Sequence, residues 1–153
     1  MSQTVNLSTE PDYLHVPGQK GLFSWIFSTD HKRIGLLYLY SMMALFLVGL
    51  SLGLAMKFEL LAPGKTIMGA QAYNGTFTLH GIIMIFLIVV PGLPAVFGNF
   101  FLPILIGAKD VAFPKLNLLS WWIYVIGALV AISSQFLGDG PPDTGWTFYA
   151  PYS

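Results

Sequence analysis

One histidine lies near the start of a long apolar stretch, residues 76–91, which reads TFTLHGIIMIFLIVVP. An ionisable side chain within a membrane-spanning segment is costly, so its presence indicates a functional role. A neutral imidazole can bind iron through one nitrogen while an acceptor orients the other, which makes His80 a candidate haem ligand. The alternative is a structural histidine that bonds a carbonyl or hydroxyl group of another helix. Residue types alone leave both open.

The other metal-binding residue types narrow the chemistry. The sequence has no cysteine, which excludes disulfides, thiolate catalysis, iron–sulfur clusters and thiolate zinc sites. The two other histidines, His15 and His31, lie in polar sequence and are expected to face water. Any metal must therefore be held by histidine, carboxylate or thioether groups.

A second group of polar residues lies further along the chain. Asp110 falls in the charged segment 107–117, which Asn117 closes. Asn99 lies in apolar sequence, where a side-chain amide needs a hydrogen-bond partner or water. An aspartate at the membrane surface with amides further inside could begin a hydrated proton path. A simple solvated loop aspartate is the alternative.

The elements that must position these groups are membrane helices. The chain is 55% hydrophobic and only 9% charged, whereas soluble domains carry about 25% charged residues. Three apolar segments, at about 34–56, 77–106 and 118–137, are long enough to cross a bilayer core of about 30 Å. A polar arm, 1–21, precedes them. The sequence therefore predicts an all-α integral membrane protein with three transmembrane helices, and its zero net charge gives no reason to expect nucleic-acid binding.

Local signals refine this organisation. Asp30 is expected to cap the first spanning helix, and Gly49 and Gly53 form a small-xxx-small face on which another helix can pack closely. The second segment is too long for one straight span, and prolines should kink or interrupt it. These prolines are Pro91, Pro94 and Pro103.

The distribution of basic residues predicts the orientation. One side of the membrane would carry five of them, Lys20, Lys32, Arg33, Lys109 and Lys115, and the other side would carry two, Lys57 and Lys65. Since basic residues in short loops favour the cytoplasm, the N-terminus is expected there. His80 would then lie toward the outer face and Asp110 at the inner face.

Five motifs resemble, in order and spacing, the N-terminal part of subunit I of haem–copper terminal oxidases of the cytochrome c oxidase type. They are FSTDHKRIG at 27–35, TLHGIIMIF at 78–86, FGNFFLP at 97–103, IGAKDVAFPKLN at 106–117 and TGWTFY at 144–149. The resemblance covers about residues 22–152. It implies that the three helices are the N-terminal section of a subunit with about twelve.

The resemblance also implies residue roles. His80 corresponds to one of two axial ligands of a low-spin haem. Asp110 corresponds to the entrance acid of the D proton pathway, with Asn99 and Asn117 as its amides and Tyr38 as a nearby tyrosine. Two further residues would lie near the haem, Trp146 and Lys57. Trp146 by itself indicates an interfacial aromatic anchor.

Lys57 departs from the family pattern, which commonly has an arginine associated with the haem formyl group. Lysine keeps the charge but lacks the planar fork of donors. Haem A is the expected cofactor, with haem B or O left open. A high-spin haem and copper are expected only in the complete subunit, because their ligands are absent from this sequence.

The resemblance implies a fragment, or one piece of a split subunit, of a proton-pumping oxidase in a bacterial cell membrane. Its expected partners are the rest of subunit I, subunits II and III, membrane lipid and cytochrome c, which would supply electrons to reduce dioxygen to water. Alternatives are a quinol-oxidising member of the family, a non-catalytic membrane haem-binding or assembly protein and, more weakly, a transporter. This chain alone would not be catalytically complete.

Overall fold

The computed structural model describes residues 21–64, 66–138, 140–142 and 144–150. Within these ranges the regular structure is entirely helical. Three helices are long and apolar enough to cross a membrane, which confirms the predicted all-α integral membrane fold. The arm 1–20, with His15 and Lys20, lies outside the described residues, as does Lys65.

A short helix, α1 (Leu22–Ile26), leads into the first long helix, α2 (His31–Glu59). Asp30 caps α2 as predicted, because its carboxylate accepts the backbone N–H of Lys32 at 3.0 Å. The helix is longer than the predicted segment 34–56 at both ends. Its 29 residues contain no proline and span about 43 Å at about 1.5 Å per residue.

Glu59 ends α2 and organises the loop that follows. Its carboxylate accepts the backbone N–H groups of Thr66, Ile67 and Met68 at 3.0, 2.6 and 2.9 Å. The Thr66 hydroxyl donates to the same carboxylate at 3.1 Å. These bonds fold the loop back onto the end of α2.

The second long helix, α3 (Ala70–Ile106), runs for 37 residues. It begins seven residues before the predicted Phe77 and ends at the predicted residue. The prolines do not interrupt it. Instead, hydrogen bonding becomes π-helical over Ile83–Val89 and Gly92–Phe97, on either side of Pro91. π-Helical turns occur chiefly as local adjustments within α-helices. The helix therefore continues past its prolines through a local change in hydrogen-bond pattern.

The turn after α3 depends on Gly107, whose φ of +67° is left-handed. The fourth helix, α4 (Pro114–Ser133), starts with proline in its first turn, where a missing N–H costs nothing. Compared with the predicted segment 118–137, the helix begins four residues earlier, at Pro114, and also ends four residues earlier, at Ser133.

α2 packs against both α3 and α4. Near the His31 end of α2, the core contains Ile34, Tyr38, Met42, Val96 and Trp121. Nearer its Glu59 end, the core contains Leu45, Leu79, Ile83 and Ala128. Each cluster contains residues of all three long helices, so both clusters hold α2, α3 and α4 together.

After α4 the chain folds back against the beginning of α3. The Gly145 N–H donates to the hydroxyl of buried Thr78 at 2.9 Å, and Thr78 in turn donates to the Asn74 carbonyl. A Cβ on Gly75 would lie 3.2 Å from the Pro141 carbonyl oxygen. Glycine at position 75 therefore lets this segment approach α3 closely.

Candidate functional site

His80 is held by the small-residue face of α2. Its Nδ1 lies 2.8 Å from the carbonyl oxygen of Gly49. A carbonyl oxygen can only accept, so Nδ1 carries the proton and donates. The ring is therefore the Nδ1–H tautomer, and the lone pair of Nε2 is the one available for a ligand bond.

Gly53 supports the ring from one turn further along α2. A Cβ at Gly53 would lie 3.2 Å from His80 Cε1, 3.6 Å from Nδ1 and 3.9 Å from Nε2. The predicted packing face thus does more than admit a helix. It provides a backbone acceptor for the imidazole at Gly49 and a close contact with the ring at Gly53.

Trp146 lies next to the His80 turn. A Cβ on Gly81 would lie 2.9 Å from the indole Cδ1, so the indole packs directly on that glycine. The Trp146 ring also meets Phe86 edge-on, with centroids 6.0 Å apart. The side chain keeps 40% of its surface exposed. His80 and Trp146 are therefore brought to the same region of α3.

Lys57 occupies the same α2 face as the two glycines, one turn beyond Gly53. Residues four apart in a helix share a face, so Gly49, Gly53 and Lys57 form one line. The Lys57 side chain is exposed. Its charge lies at the end of the bundle where residues 140–142 and 144–150 pack against α3.

Asp110 lies at the opposite end and is bonded to a histidine. His31 Nδ1 and Asp110 Oδ1 are 2.9 Å apart. His31 is buried, with 6% of its surface exposed, so the prediction that it faces water is wrong. The physical reason is that the α3–α4 turn folds over the start of α2 and covers its first residue. The Asp110 side chain keeps 41% of its surface exposed, so it contacts both solvent and a buried imidazole.

The two amides singled out from the sequence bond each other. Asn117 Nδ2 donates to Asn99 Oδ1 at 2.5 Å, and Asn99 Nδ2 donates to the Ala95 carbonyl at 2.7 Å. Asn99 is buried, at 5% exposure. This pair links α3 to α4 and satisfies an amide deep in apolar surroundings, as the sequence required.

A cavity of about 330 Å³ adjoins this pair. Its lining includes Asn99, Asn117 and Ser120 together with Val111, the neighbour of Asp110. The side chains of Asn99, Asn117 and Ser120 offer hydrogen bonds to water, whereas the rest of the lining is mainly apolar. A space of this size has room for several waters, since one water occupies about 30 Å³ of liquid volume. The cavity extends from Val111, the chain neighbour of Asp110, to the amide pair, and Asp110 itself does not line it.

Tyr38 extends the polar residues toward the middle of the bundle. Its hydroxyl lies 2.8 Å from Ser120 Oγ. Because the Ser120 hydroxyl donates to the Asn117 carbonyl at 2.7 Å, the Tyr38 hydroxyl is the donor to Ser120. Amide, hydroxyl and phenol groups thus follow one another inward from the Asp110 end.

Sequence reasoning missed four contributors to these sites. His31 was assigned to water, and Gly81, Thr78 and Ser120 were not singled out. Ser120 lies three residues after Asn117, a spacing that puts both on one helix face. That spacing could have identified Ser120 from the sequence as a neighbour of the amide pair. The contacts of the other three depend on partners that the sequence places far away.

The donor set at His80 fits a haem iron. Proteins commonly orient a metal-binding imidazole through a hydrogen bond from the ring nitrogen that does not bind the metal, and His80 makes such a bond to the Gly49 carbonyl. Among the residues that the structure describes, no group of three or more His, Cys, Asp or Glu side chains could hold a bare metal ion.

Comparison with known proteins yields one family and many relatives. The family model described as "Cytochrome C and Quinol oxidase polypeptide I" matches residues 33–153. A probable cytochrome c oxidase subunit 1-alpha of Streptomyces avermitilis is 43% identical over 129 residues, which cover 84% of this chain. A haem–copper oxidase subunit I+III of Aeropyrum pernix is 42% identical over 132 residues, or 85% of the chain. Cytochrome c oxidase subunit 1 of Synechocystis is 41% identical over 137 residues, or 90% of the chain.

The aligned part is a small share of each relative. It covers 22% of the Streptomyces protein, 16% of the Aeropyrum protein and 24% of the Synechocystis protein. The chain thus spans about a quarter or less of the curated relatives it matches. The family match nevertheless extends over most of this chain, and it includes His80, Asp110 and Trp146. The chain belongs to the cytochrome c and quinol oxidase polypeptide I family.

Proposed function

We propose that this chain forms the N-terminal section of the catalytic subunit of a proton-pumping haem–copper oxidase. The complete enzyme would take electrons from cytochrome c and reduce dioxygen to water. The family match and the names of the relatives support this assignment. Within it, the chain contributes one haem ligand and the entrance of a proton path.

The observation that carries the proposal is the hydrogen bond from His80 Nδ1 to the Gly49 carbonyl. It fixes the tautomer in which Nε2 can bind iron, as the axial ligand of a low-spin haem. A haem in this position would accept and pass on single electrons. The role of α2 is to hold the imidazole ring of His80 in one orientation through Gly49 and Gly53. Trp146 and Lys57 lie near the same end of the bundle.

The resemblance implies a proton-entrance role for Asp110, and the chemistry of its surroundings supports that role. It is a partly exposed carboxylate that contacts buried His31, and its chain neighbour Val111 lines the cavity that the Asn99–Asn117 pair also lines. A carboxylate can take a proton from water and release it again. The amides and the Tyr38 hydroxyl can then order waters along the way, since each offers both donors and acceptors.

The remaining parts follow from the same assignment. The second axial ligand, the high-spin haem and the copper would be held by the rest of subunit I, with subunits II and III as further partners. The low-spin haem is assigned as haem A. The N-terminus would face the cytoplasm of a bacterial cell, so that protons enter at Asp110 and the His80 end faces outward.

The haem assignment is tested by His80→Ala in the complete oxidase, with His31→Ala as the matched histidine control. The low-spin band of the reduced-minus-oxidised spectrum should disappear in His80→Ala and persist in His31→Ala. An unchanged spectrum in His80→Ala would remove His80 as a ligand. Haem binding without oxygen consumption in the wild-type complex would instead favour a non-catalytic haem protein.

The proton role is tested by Asp110→Asn, which keeps the shape of the side chain and removes the titratable group. Oxygen consumption should slow, or proton ejection per oxygen should fall, while the haem spectrum stays unchanged. Wild-type values of both rates would refute the assignment. Measuring turnover with reduced cytochrome c and with a quinol in turn decides between the two electron donors in the family description.

A further inference from the structure

Pro91 leaves a gap in the backbone hydrogen bonding of α3. In an α-helix the carbonyl of Leu87 would accept the N–H of residue 91, but proline has no N–H. Pro91 lies between two π-helical segments, Ile83–Val89 and Gly92–Phe97, and Leu87 lies within the first of them. In the apolar part of a membrane a carbonyl without a donor is costly, and another group normally satisfies it.

The group that satisfies it here is a side chain of another helix. The Tyr124 hydroxyl donates to the Leu87 carbonyl oxygen at 2.7 Å. Tyr124 belongs to α4 and is 37 residues away in sequence. The distance is the usual one for an O–H···O hydrogen bond, and the acceptor is the carbonyl that Pro91 deprives of its α-helical donor. The contact is therefore specific to this break in the helix.

Tyr124 is the last of three polar residues on one stripe of α4, after Asn117 and Ser120. Residues at these spacings of three and four share a helix face. Asn117 bonds Asn99 on α3, and Ser120 bonds Tyr38 on α2. The third position returns to α3 at Leu87.

The two bonds from α4 to α3 bracket the break. Leu87 lies before Pro91, and Asn99 lies after it. The His80-bearing part of α3 is thus joined to α4 by Tyr124, and the proton-path part is joined by Asn117. The Tyr124 ring also contacts the Tyr38 ring, with centroids 5.3 Å apart, so the phenol is fixed from both sides.

We propose that Tyr124 is a positioning residue that closes the Pro91 gap and fixes the rotation of the His80 half of α3 relative to the Asn99 half. This inference rests on the proposed function, because it concerns how the haem ligand and the proton path are kept in register. Without the hydroxyl, the π-helical segment can change its hydrogen-bond register. A change of one residue in register turns everything before it, including His80, by about 80–100°.

The test uses Tyr124→Phe in the complete oxidase, which removes one oxygen and keeps the ring. Tyr40→Phe is the matched control, since Tyr40 is an α2 tyrosine with 64% of its surface exposed. Thermal inactivation of Tyr124→Phe should be about threefold to tenfold faster, as expected for a lost hydrogen bond within a membrane helix bundle. The reduced low-spin haem band should shift, and Tyr40→Phe should change neither quantity.

A second background isolates the proline. Pro91→Ala restores a backbone N–H that can donate to the Leu87 carbonyl. In that background, Tyr124→Phe should accelerate inactivation by less than about twofold, because the carbonyl has another donor. An equal acceleration in both backgrounds would overturn the idea that the hydroxyl serves the Pro91 gap.

The spectrum decides whether the role is positional. Faster inactivation of Tyr124→Phe with an unmoved haem band would reduce the hydroxyl to a structural bond and overturn the proposal. Failure of the underlying function has a different signature, namely a haem band that survives His80→Ala. The dependence on Pro91 is measured by thermal inactivation and not by the haem spectrum. It therefore tests the link between Tyr124 and Pro91 whether or not His80 binds haem.

Discussion

Gly53 is the glycine whose added Cβ would meet the ring of His80, the proposed haem ligand. Ordinary contacts between carbon atoms lie at about 3.5–4.0 Å, and a Cβ at Gly53 would lie 3.2 Å from His80 Cε1. Gly53→Ala should therefore push the ring away by about 0.3 Å or more. His80 should keep its hydrogen bond to Gly49, because lengthening a 2.8 Å bond by that amount leaves it within the usual range.

The free-energy terms nearly offset one another. Replacing glycine by alanine within a helix stabilises it by about 1 kcal/mol, and overpacking a close contact costs about 1–3 kcal/mol. The net loss of stability should be about 0–2 kcal/mol. Gly53→Ala should therefore assemble and keep its haem, but with the ligand displaced.

The assay is the reduced-minus-oxidised spectrum of the purified complex, together with its haem content. Gly53→Ala should shift the low-spin band and retain full haem, whereas His80→Ala should lose the band. Gly127→Ala is the control, because no heavy atom of the described residues lies within 4 Å of its added Cβ. Identical spectra for Gly53→Ala and wild type would show that the ring does not rest on Gly53, and the orientation argument would fail.

Two further predictions concern the segments around the His80 end of the bundle. Thr78→Val keeps the side-chain shape but removes the acceptor of the Gly145 N–H, so amide hydrogen exchange of residues 144–150 should accelerate about fivefold. Glu59→Gln weakens the charge-assisted bonds to the loop, including the one to the Thr66 N–H, which belongs to the peptide bond after Lys65. Trypsin should cut that bond about tenfold faster in the variant, because cleavage follows the open population of the loop.

The outcomes that contradict these two predictions are direct. Unchanged exchange in Thr78→Val would mean that the Gly145 segment is held by other contacts. Glu59→Asp preserves the charge and is the control for the loop. Equal trypsin rates for Glu59→Gln and wild type would show that the carboxylate does not restrain the loop.

The parts of the fold that the sequence predicted are those determined locally. Asp30 caps α2 because an N-cap carboxylate bonds an N–H only two residues away. The apolar segments predicted three spanning helices because their length and composition suffice. The helix bounds were less accurate, since α4 starts at Pro114 through a first-turn preference that hydropathy does not register.

The geometry of the sites could not be predicted in the same way. His31 and Asp110 are 79 residues apart, and nothing near His31 in the sequence indicates burial. The acceptor for His80 is a backbone carbonyl, at Gly49, which carries no residue-type signal. Gly49 and Gly53 predicted close packing on α2, but only the three-dimensional structure shows that the group packed against them is the His80 imidazole.

α2 and α3 differ in stiffness, and this difference determines how the two sites can influence each other. α2 is continuous and free of proline, and it contacts His80 through Gly49 and the acid end through His31. About 27 Å of helix separates those two positions, from 18 residues at about 1.5 Å each. α3 joins the same two regions through its π-helical segments, which change register more easily than α-helical turns. We therefore expect a displacement at His80 to be carried along α2 with little loss, and to be taken up by the π-helical segments of α3 unless the bonds from α4 prevent it. Since the α4 bonds to Leu87 and Asn99 bracket the deformable part, they decide whether the two halves of α3 move together.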